Sequence, residues 1–192
     1  MKKRILIGIC AVLLLTSCAH EYNQVYKTTN NDYKYEFAKE CFAKGKYGFA
    51  VPLLQDLVMV EKGTDNAQEC LYMLAMAEYG LKDYQAASET FKKYYQTYPR
   101  GQYAEMASFY IGQSLFEGTP EPRLDQTPTI AAIAAFQEYL DIYPNGKMKG
   151  TAQQRLFALQ DKLVRKEYLN AKLSYNLCSS FGNCTSGGNN YE

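Results

Sequence analysis

Cys18 ends the run Leu15-Thr16-Ser17-Cys18, behind the basic triplet Lys2-Lys3-Arg4 and an apolar stretch from Ile5 to Leu15. A thiol there is a nucleophile presented at the end of a secretory signal, because about 11 apolar residues are too few to span a bilayer core. Other reactive groups are sparse. The one histidine, His20, lies two residues further on, so the body of the chain has neither a catalytic histidine nor a His-bearing metal site. No phosphate-cradling glycine loop, nucleophile elbow, Cys-x-x-Cys pair or paired-histidine zinc motif occurs. Acidic pairs such as Glu36 with Glu40 and Glu138 with Asp141 stand at helical spacing, where solvated faces commonly carry them. The sequence therefore predicts no enzyme, no cofactor and no metal.

The tetrapeptide resembles the lipobox of bacterial lipoproteins. That resemblance implies that residues 1–17 are a signal peptide cut before Cys18, that the Cys18 thiol carries a diacylglyceryl group, and that the new amino terminus is acylated. Two or three acyl chains, at roughly 0.8 kcal/mol per buried CH2, hold a protein on a membrane durably. The competing reading is an ordinary signal peptide with a cysteine at its cut by chance. Ala19, in place of the aspartate that resembles an inner-membrane retention signal, favours the outer membrane. Loss of Lys2, Lys3 and Arg4 leaves 18 Lys and Arg against 20 Asp and Glu, a balance that makes no case for nucleic acid. Residues 18–30, polar with Thr28, Thr29 and Asn30, read as a flexible tether from the lipid.

Repeats organise the rest. Ala38, Ala75 and Gly112 are separated by 37 and 37 residues, each with an aromatic three before it (Tyr35, Tyr72, Phe109) and another four after it (Phe42, Tyr79, Phe116). The same triplet recurs at Tyr168, Ala171 and Tyr175. Tyr47-Gly48-Phe49-Ala50 and Tyr84-Gln85-Ala86-Ala87 repeat a Tyr-x-x-Ala element at the same period, and a third version reaches Ala132. Each unit reads as a helical hairpin in which a small residue lets the second helix approach, and apolar stripes such as Leu53, Leu54 and Leu57 continue that second helix. Tyr98-Pro99-Arg100-Gly101 and Tyr143-Pro144-Asn145-Gly146 end two of the hairpins, proline stopping the helix and glycine permitting the turn. An insert of 8 residues opening at Gly118-Thr119-Pro120 is expected as a surface loop, and about Lys149 to Cys178 as one long helix of ambiguous register.

Small residue, Tyr-x-x-Ala, Phe and then Pro resembles the tetratricopeptide pattern, which implies an all-α fold of helical hairpins stacked in a right-handed superhelix with a concave groove. The paired Tyr-Pro-x-Gly phrases, Asp125-Gln126-Thr127-Pro128, and the stretch from Leu163 to Tyr168 are similar to one subgroup, the BamD-type lipoproteins of the outer-membrane β-barrel assembly machinery. The resemblance covers roughly residues 31–178, read as three repeats and the first helix of a fourth, with 179–192 as loop. Members carry about five repeats, so the chain is expected to be a fragment of a longer protein. The subgroup implies a periplasm-facing, lipid-anchored scaffold of the outer membrane. Its implied partners are the channel subunit of the assembly machinery, accessory lipoproteins and unfolded outer-membrane protein substrates. Two alternatives stand beside it: another envelope tetratricopeptide adaptor coordinating cell-wall synthesis with constriction, and a glycan-binding surface lipoprotein.

Tyr35 with Lys39, Tyr72 with Met76, and Phe109 with Gln113 are i, i+4 pairs at positions that turn to the groove in tetratricopeptide domains. They are the candidate binding residues for an extended peptide, with Tyr168 as a fourth aromatic. Phe42, Tyr79 and Phe116 are expected to pack between repeats. Of the cysteines beyond Cys18, Cys41 reads as a small buried thiol, and Cys178 with Cys184 as a pair that an oxidising compartment would allow to bridge, though nothing in the sequence indicates it. The lipobox gives the first test: Cys18→Ser should leave an uncut or soluble form by membrane fractionation and mass. Finding the unaltered protein in the soluble periplasm with a free Cys18 thiol would contradict the lipid anchor.

Overall fold

The computed structural model describes residues 22–62, 64 and 66–181. Cys18, His20 and Cys184 lie outside them, and with them the expected lipid anchor and the Cys178–Cys184 pairing. The described residues form helices and no strand. In chain order these are α1 (Asn31–Ala43), α2 (Tyr47–Val60), α3 (Asn66–Gly80), α4 (Tyr84–Thr97), α5 (Ala104–Glu117), α6 (Thr127–Ile142) and α7 (Lys149–Phe181), after a short helical stretch at 22–27. Each packs on the next, giving the expected stack of helical hairpins with α1, α3, α5 and α7 as first helices.

Local chemistry sets the boundaries. Gly45 and Lys82, one period apart in the turns between first and second helices, both have positive φ, 68° and 63°. The following amides close the same left-handed cap, Lys46 N donating to Cys41 O at 2.8 Å and Asp83 N to Glu78 O at 3.0 Å. Gly45 adopts that conformation freely, whereas a Cβ at Lys82 costs about 1–2 kcal/mol. Asn30 caps α1 by accepting from Tyr33 N at 3.0 Å, Asp83 caps α4 by accepting from Ala86 N at 3.2 Å, and Pro128 lies in the opening turn of α6.

The small residues stand where the helices cross. Ala38, Ala75, Ala50, Ala87 and Ala132 are fully buried, and a Cβ on Gly112 would lie 2.9 Å from the Phe136 ring, which is why the third unit has glycine there. Three apolar clusters follow: Leu53, Leu54 and Leu57 under α1 and α3; Phe91 and Tyr94 between α3, α4 and α5; Phe136 and Tyr139 between α5, α6 and α7. Buried Lys34 pairs with Asp56 across the first hairpin.

The two Tyr-Pro-x-Gly phrases are held by one arrangement used twice. Tyr94 Oη donates to Gln68 Oε1 at 2.9 Å and accepts from Tyr103 N at 3.1 Å, while Gln102 N donates to the same Gln68 oxygen at 3.2 Å. In the next repeat Tyr139 Oη donates to Glu105 Oε1 at 3.1 Å and accepts from Met148 N at 3.1 Å, while Lys147 N donates to Glu105 Oε1 at 2.6 Å. The hydroxyl of a second helix thus joins the preceding first helix to the amides that open the following one. A Cβ on Gly101 would meet Gln68 Oε1 at 2.0 Å and Tyr94 Oη at 2.7 Å, and one on Gly146 would meet Tyr139 Oη at 2.5 Å. Glycine is needed there for space, since neither residue has a positive φ.

One expectation is corrected. The tether expected over 18–30 is helical at 22–27, where Val25 is fully buried and the Tyr22 ring packs 4.9 Å from Phe49. An apolar Val between two tyrosines gives the segment a face to bury, and that outweighs its polar composition. As expected of a first helix without a second one over it, α7 buries Ala152 and Leu159 against the preceding helices, while Tyr168, Ala171 and Tyr175 stay exposed with no covering helix among the described residues. Replacing Ala75 by Leu should overpack the α3–α4 crossing and lower stability by about 1–3 kcal/mol in chemical denaturation. An unchanged unfolding free energy would show that Ala75 is not at a crossing.

Candidate functional site

The six residues expected to line a groove fall at matching positions of α1, α3 and α5, and the structure brings them together mainly as seams between repeats. Tyr35 is only 7% exposed, and its hydroxyl donates to Glu69 Oε2 of α3 at 2.7 Å. Lys39, half-buried, has its Nζ 4.9 Å from the Tyr35 ring centroid and 3.7 Å from Glu69 Oε1. Tyr72 stacks on Tyr103 at 4.3 Å and 9°, and meets Phe91 and Tyr94 edge-on at 5.9 and 5.8 Å. Met76 is half-buried beside the same cluster. Phe109, 2% exposed, is enclosed by Tyr110, Phe136 and Tyr139.

Gln113 is the polar centre of the third seam. Its Nε2 donates to Glu117 Oε1 at 2.8 Å and to Tyr79 Oη at 3.4 Å, and its Oε1 accepts from Arg155 Nε at 3.2 Å. The Arg155 guanidinium also lies over the Phe116 ring at 4.5 Å. One part of the expected division of labour is corrected: Tyr35 and Phe109 do not offer ring faces to a ligand, whereas Phe42, Tyr79 and Phe116 pack against the clusters as expected and keep part of their surface exposed. Of these residues and their seam partners, Lys39, Glu69, Tyr72, Met76, Tyr79 and Phe116 keep part of their surface accessible, apolar in the middle, with Lys39 and Glu69 at the α1 end and Arg155 and Glu117 at the α5 end.

Burial dominates the titration of the groups along these seams. Burial, then the hydrogen bond to Glu69, pushes the Tyr35 phenol far above its ordinary range. Burial, then the neighbouring tyrosines Tyr110, Tyr103 and Tyr94, pushes Tyr72 up to about 12. Burial, then Glu61 and Glu69, pushes the Cys70 thiol up to about 12, which leaves it protonated and inert near neutral pH. Burial also raises the Glu78 carboxyl, against a hydrogen bond from Thr90 that lowers it. Among the described residues no group of three His, Cys, Asp or Glu side chains is placed to hold a metal, and no helix is long and apolar enough to cross a membrane.

Sequence reasoning missed three contributors. Glu69 and Arg155 carry no periodic signal, because each acts on a residue more than 30 positions away. Gln126 is buried and organises the insert: its Nε2 donates to Glu121 O at 2.8 Å and Leu124 O at 3.1 Å, and its Oε1 accepts from Thr129 Oγ1 at 2.7 Å. The ordered loop is then tied to α7 by Lys162 Nζ on Thr119 Oγ1 at 2.6 Å and Lys166 Nζ on Leu124 O at 3.0 Å. A separate cleft of about 640 Å³ lies between α4 and α6 over α5, with Ile111, Leu115 and Ala135 in its walls and Lys92 and Glu138 at its rim.

Comparison with known proteins bears on this surface. The sequence matches the YfiO family, described as outer membrane lipoprotein, over residues 27–176. It is 23% identical over 167 residues to the outer membrane protein assembly factor BamD of Caulobacter vibrioides, an alignment covering 84% of this chain and 55% of that protein. The chain spans about half the length of that curated relative. The family match runs from the helical stretch before α1 into α7 and takes in all three hairpins and both tyrosine clasps, so the chain belongs to the YfiO family of outer membrane lipoproteins.

Proposed function

We propose that this chain is a non-catalytic scaffold for outer-membrane protein assembly, anchored in the outer membrane by lipid on Cys18 and facing the periplasm. In this reading it holds the channel subunit and accessory lipoproteins of the assembly machinery, together with unfolded outer-membrane protein substrates. The observation that carries it is the family match across the whole repeat stack, supported by the name of the Caulobacter relative. A stack of hairpins whose accessible strip is aromatic, thioether and charged side chains is suited to holding an extended chain.

Substrate recognition is assigned to the strip along α1, α3 and α5. Lys39, Tyr72 and Met76 would touch the bound peptide, Gln113 would hold the Tyr79 and Phe116 edge of the strip in place, and Tyr35 and Phe109 would support it from beneath. Tyr72 offers a flat apolar surface already fixed by stacking on Tyr103, so little side-chain entropy is lost on binding. Lys39 is placed to meet a terminal carboxylate, although its pairing with Glu69 limits what that contact adds.

A synthetic peptide with the aromatic-ended sequence of a last barrel strand tests this reading, titrated against the native chain and against Lys39→Ala, Tyr72→Ala and Met76→Ala. Tyr72→Ala and Met76→Ala should each weaken binding by about 1–2 kcal/mol and Lys39→Ala by less than about 1 kcal/mol. Thermal unfolding of Lys39→Ala and Met76→Ala should stay close to native. Affinity unchanged in all three variants would remove the strip from substrate recognition.

A further inference from the structure

Arg155 is a positioned cation to which no anion is paired. Its Nε donates to Gln113 Oε1 at 3.2 Å and its guanidinium lies over the Phe116 ring at 4.5 Å, so two contacts fix the plane of the group. Lys34, Lys39 and Lys44 each meet a carboxylate, that of Asp56, Glu69 and Glu40. Among the described residues Arg155 meets none, and neither of its Nη nitrogens has an acceptor. The residue is half-buried, and with Nε and one face engaged it still has the end-on pair of Nη groups, the edge that matches both oxygens of a carboxylate.

Packing does not ask for an arginine there. Counted from the clasp amides of Tyr103 and Met148, Arg155 takes the place that Tyr110 has in α5. Tyr110 fills it with a ring that stacks on Phe91 and meets Tyr79 edge-on at 5.4 Å, and Phe116 is the repeat equivalent of Tyr79. The last seam thus sets a cation where the previous one sets an aromatic. Gln113, 6% exposed, is turned to suit the cation: its Nε2 is committed to Glu117 Oε1 and Tyr79 Oη, which leaves its Oε1 to face Arg155. The flipped amide would set a donor against the Arg155 Nε–H and an acceptor against the Glu117 carboxylate.

We propose that Arg155 is the carboxylate anchor of the peptide strip, binding the free C-terminal carboxylate of an extended peptide through its two Nη groups. This rests on the reading of the strip as a peptide site and gives the bound peptide a direction: its last side chain lies toward Phe116 and Tyr79, and the residues before it run toward α1. A chain end suits the place because its carboxylate and its last side chain leave the same carbon, so one residue reaches both the cation and the apolar surface beside it. Lys39, at the other end of the strip, is the weaker anchor, since Glu69 Oε1 at 3.7 Å already balances it and an ammonium lacks the paired geometry. Glu117, bonded to Gln113, weakens the attraction without closing the fork, because it forms no ion pair with Arg155.

The probe is a short, fluorescently labelled peptide of alternating apolar and polar residues ending in phenylalanine, made once as the free acid and once as the C-terminal amide. Anisotropy titrations against the native chain at low ionic strength should show the acid binding about tenfold more tightly than the amide, and added salt should narrow that difference. Arg155→Met should bring the acid to the affinity of the amide. Arg155→Lys, which keeps the charge and loses the fork, should retain about a two- to threefold preference. The ratio of acid to amide is read on one protein preparation, so a variant with a smaller folded fraction cannot imitate the loss. Equal binding of acid and amide to the native chain, or a preference that survives Arg155→Met, overturns the assignment and leaves the strip standing as a peptide site. An amide carrying glutamate next to its last residue that binds as tightly as the acid would give Arg155 to side-chain carboxylates, and that too overturns it. Binding of neither peptide removes the strip reading and this anchor together.

Discussion

One phenol held between two repeats carries much of this architecture. Tyr94 and Tyr139 each donate to a side-chain oxygen of the preceding first helix and accept from a backbone amide at the start of the next. Three helices therefore meet at a single buried oxygen, and the relative placement of successive hairpins is set by bond lengths as well as by apolar contact. Each such bond contributes about 1 kcal/mol net, and those to the charged Glu105 carboxylate about 1.5–3 kcal/mol. Losing the hydroxyl would also leave an amide at a helix start without its acceptor. The glycine of Tyr-Pro-x-Gly follows from this arrangement, since any Cβ there collides with the oxygens that make it.

The same close stacking decides which aromatics can bind anything. Rings run in contact from Tyr79 through Tyr110, Phe109 and Tyr139 to Tyr143, with Tyr72 joined to Phe91, Tyr94 and Tyr103. Such a ladder makes the middle of the stack stiff and uses up most of its aromatic surface. What the seams leave accessible is the surface around Tyr72 and Met76 and one face of α7. Gln126 and the lysines that reach the insert explain how α7 is held in place while about half its length runs past α6 among the described residues.

The repeats were legible because they rest on sequence-local rules. Ala38, Ala75 and Gly112 mark crossings by their size, and the Tyr-x-x-Ala elements mark second helices. The helical content, the hairpins and the long last helix could all be read from that spacing. The binding surface was less legible. Whether Tyr35 or Phe109 faces solvent depends on Glu69 and Tyr139, which lie 34 and 30 residues away, and periodicity places a side chain on a face without saying what the neighbouring repeat sets against it. The register of α7 was hidden for a related reason. Tyr168-Ala171-Tyr175 has the right spacing for a crossing, but no second helix lies over it among the described residues, and α7 instead buries Ala152 and Leu159 against the preceding helices.

The account depends most on the claim that the tyrosine hydroxyls, beyond their rings, hold the repeats together. Equilibrium urea unfolding of Tyr94→Phe and Tyr139→Phe tests it directly, because each variant keeps the ring and its packing and removes only the shared oxygen. Each should lower the unfolding free energy by about 1–2 kcal/mol, with the Tyr139 variant at least as affected, since its acceptor is a carboxylate. Stabilities within about 0.3 kcal/mol of the native chain for both would show that apolar packing alone sets the stack and that the clasps are incidental.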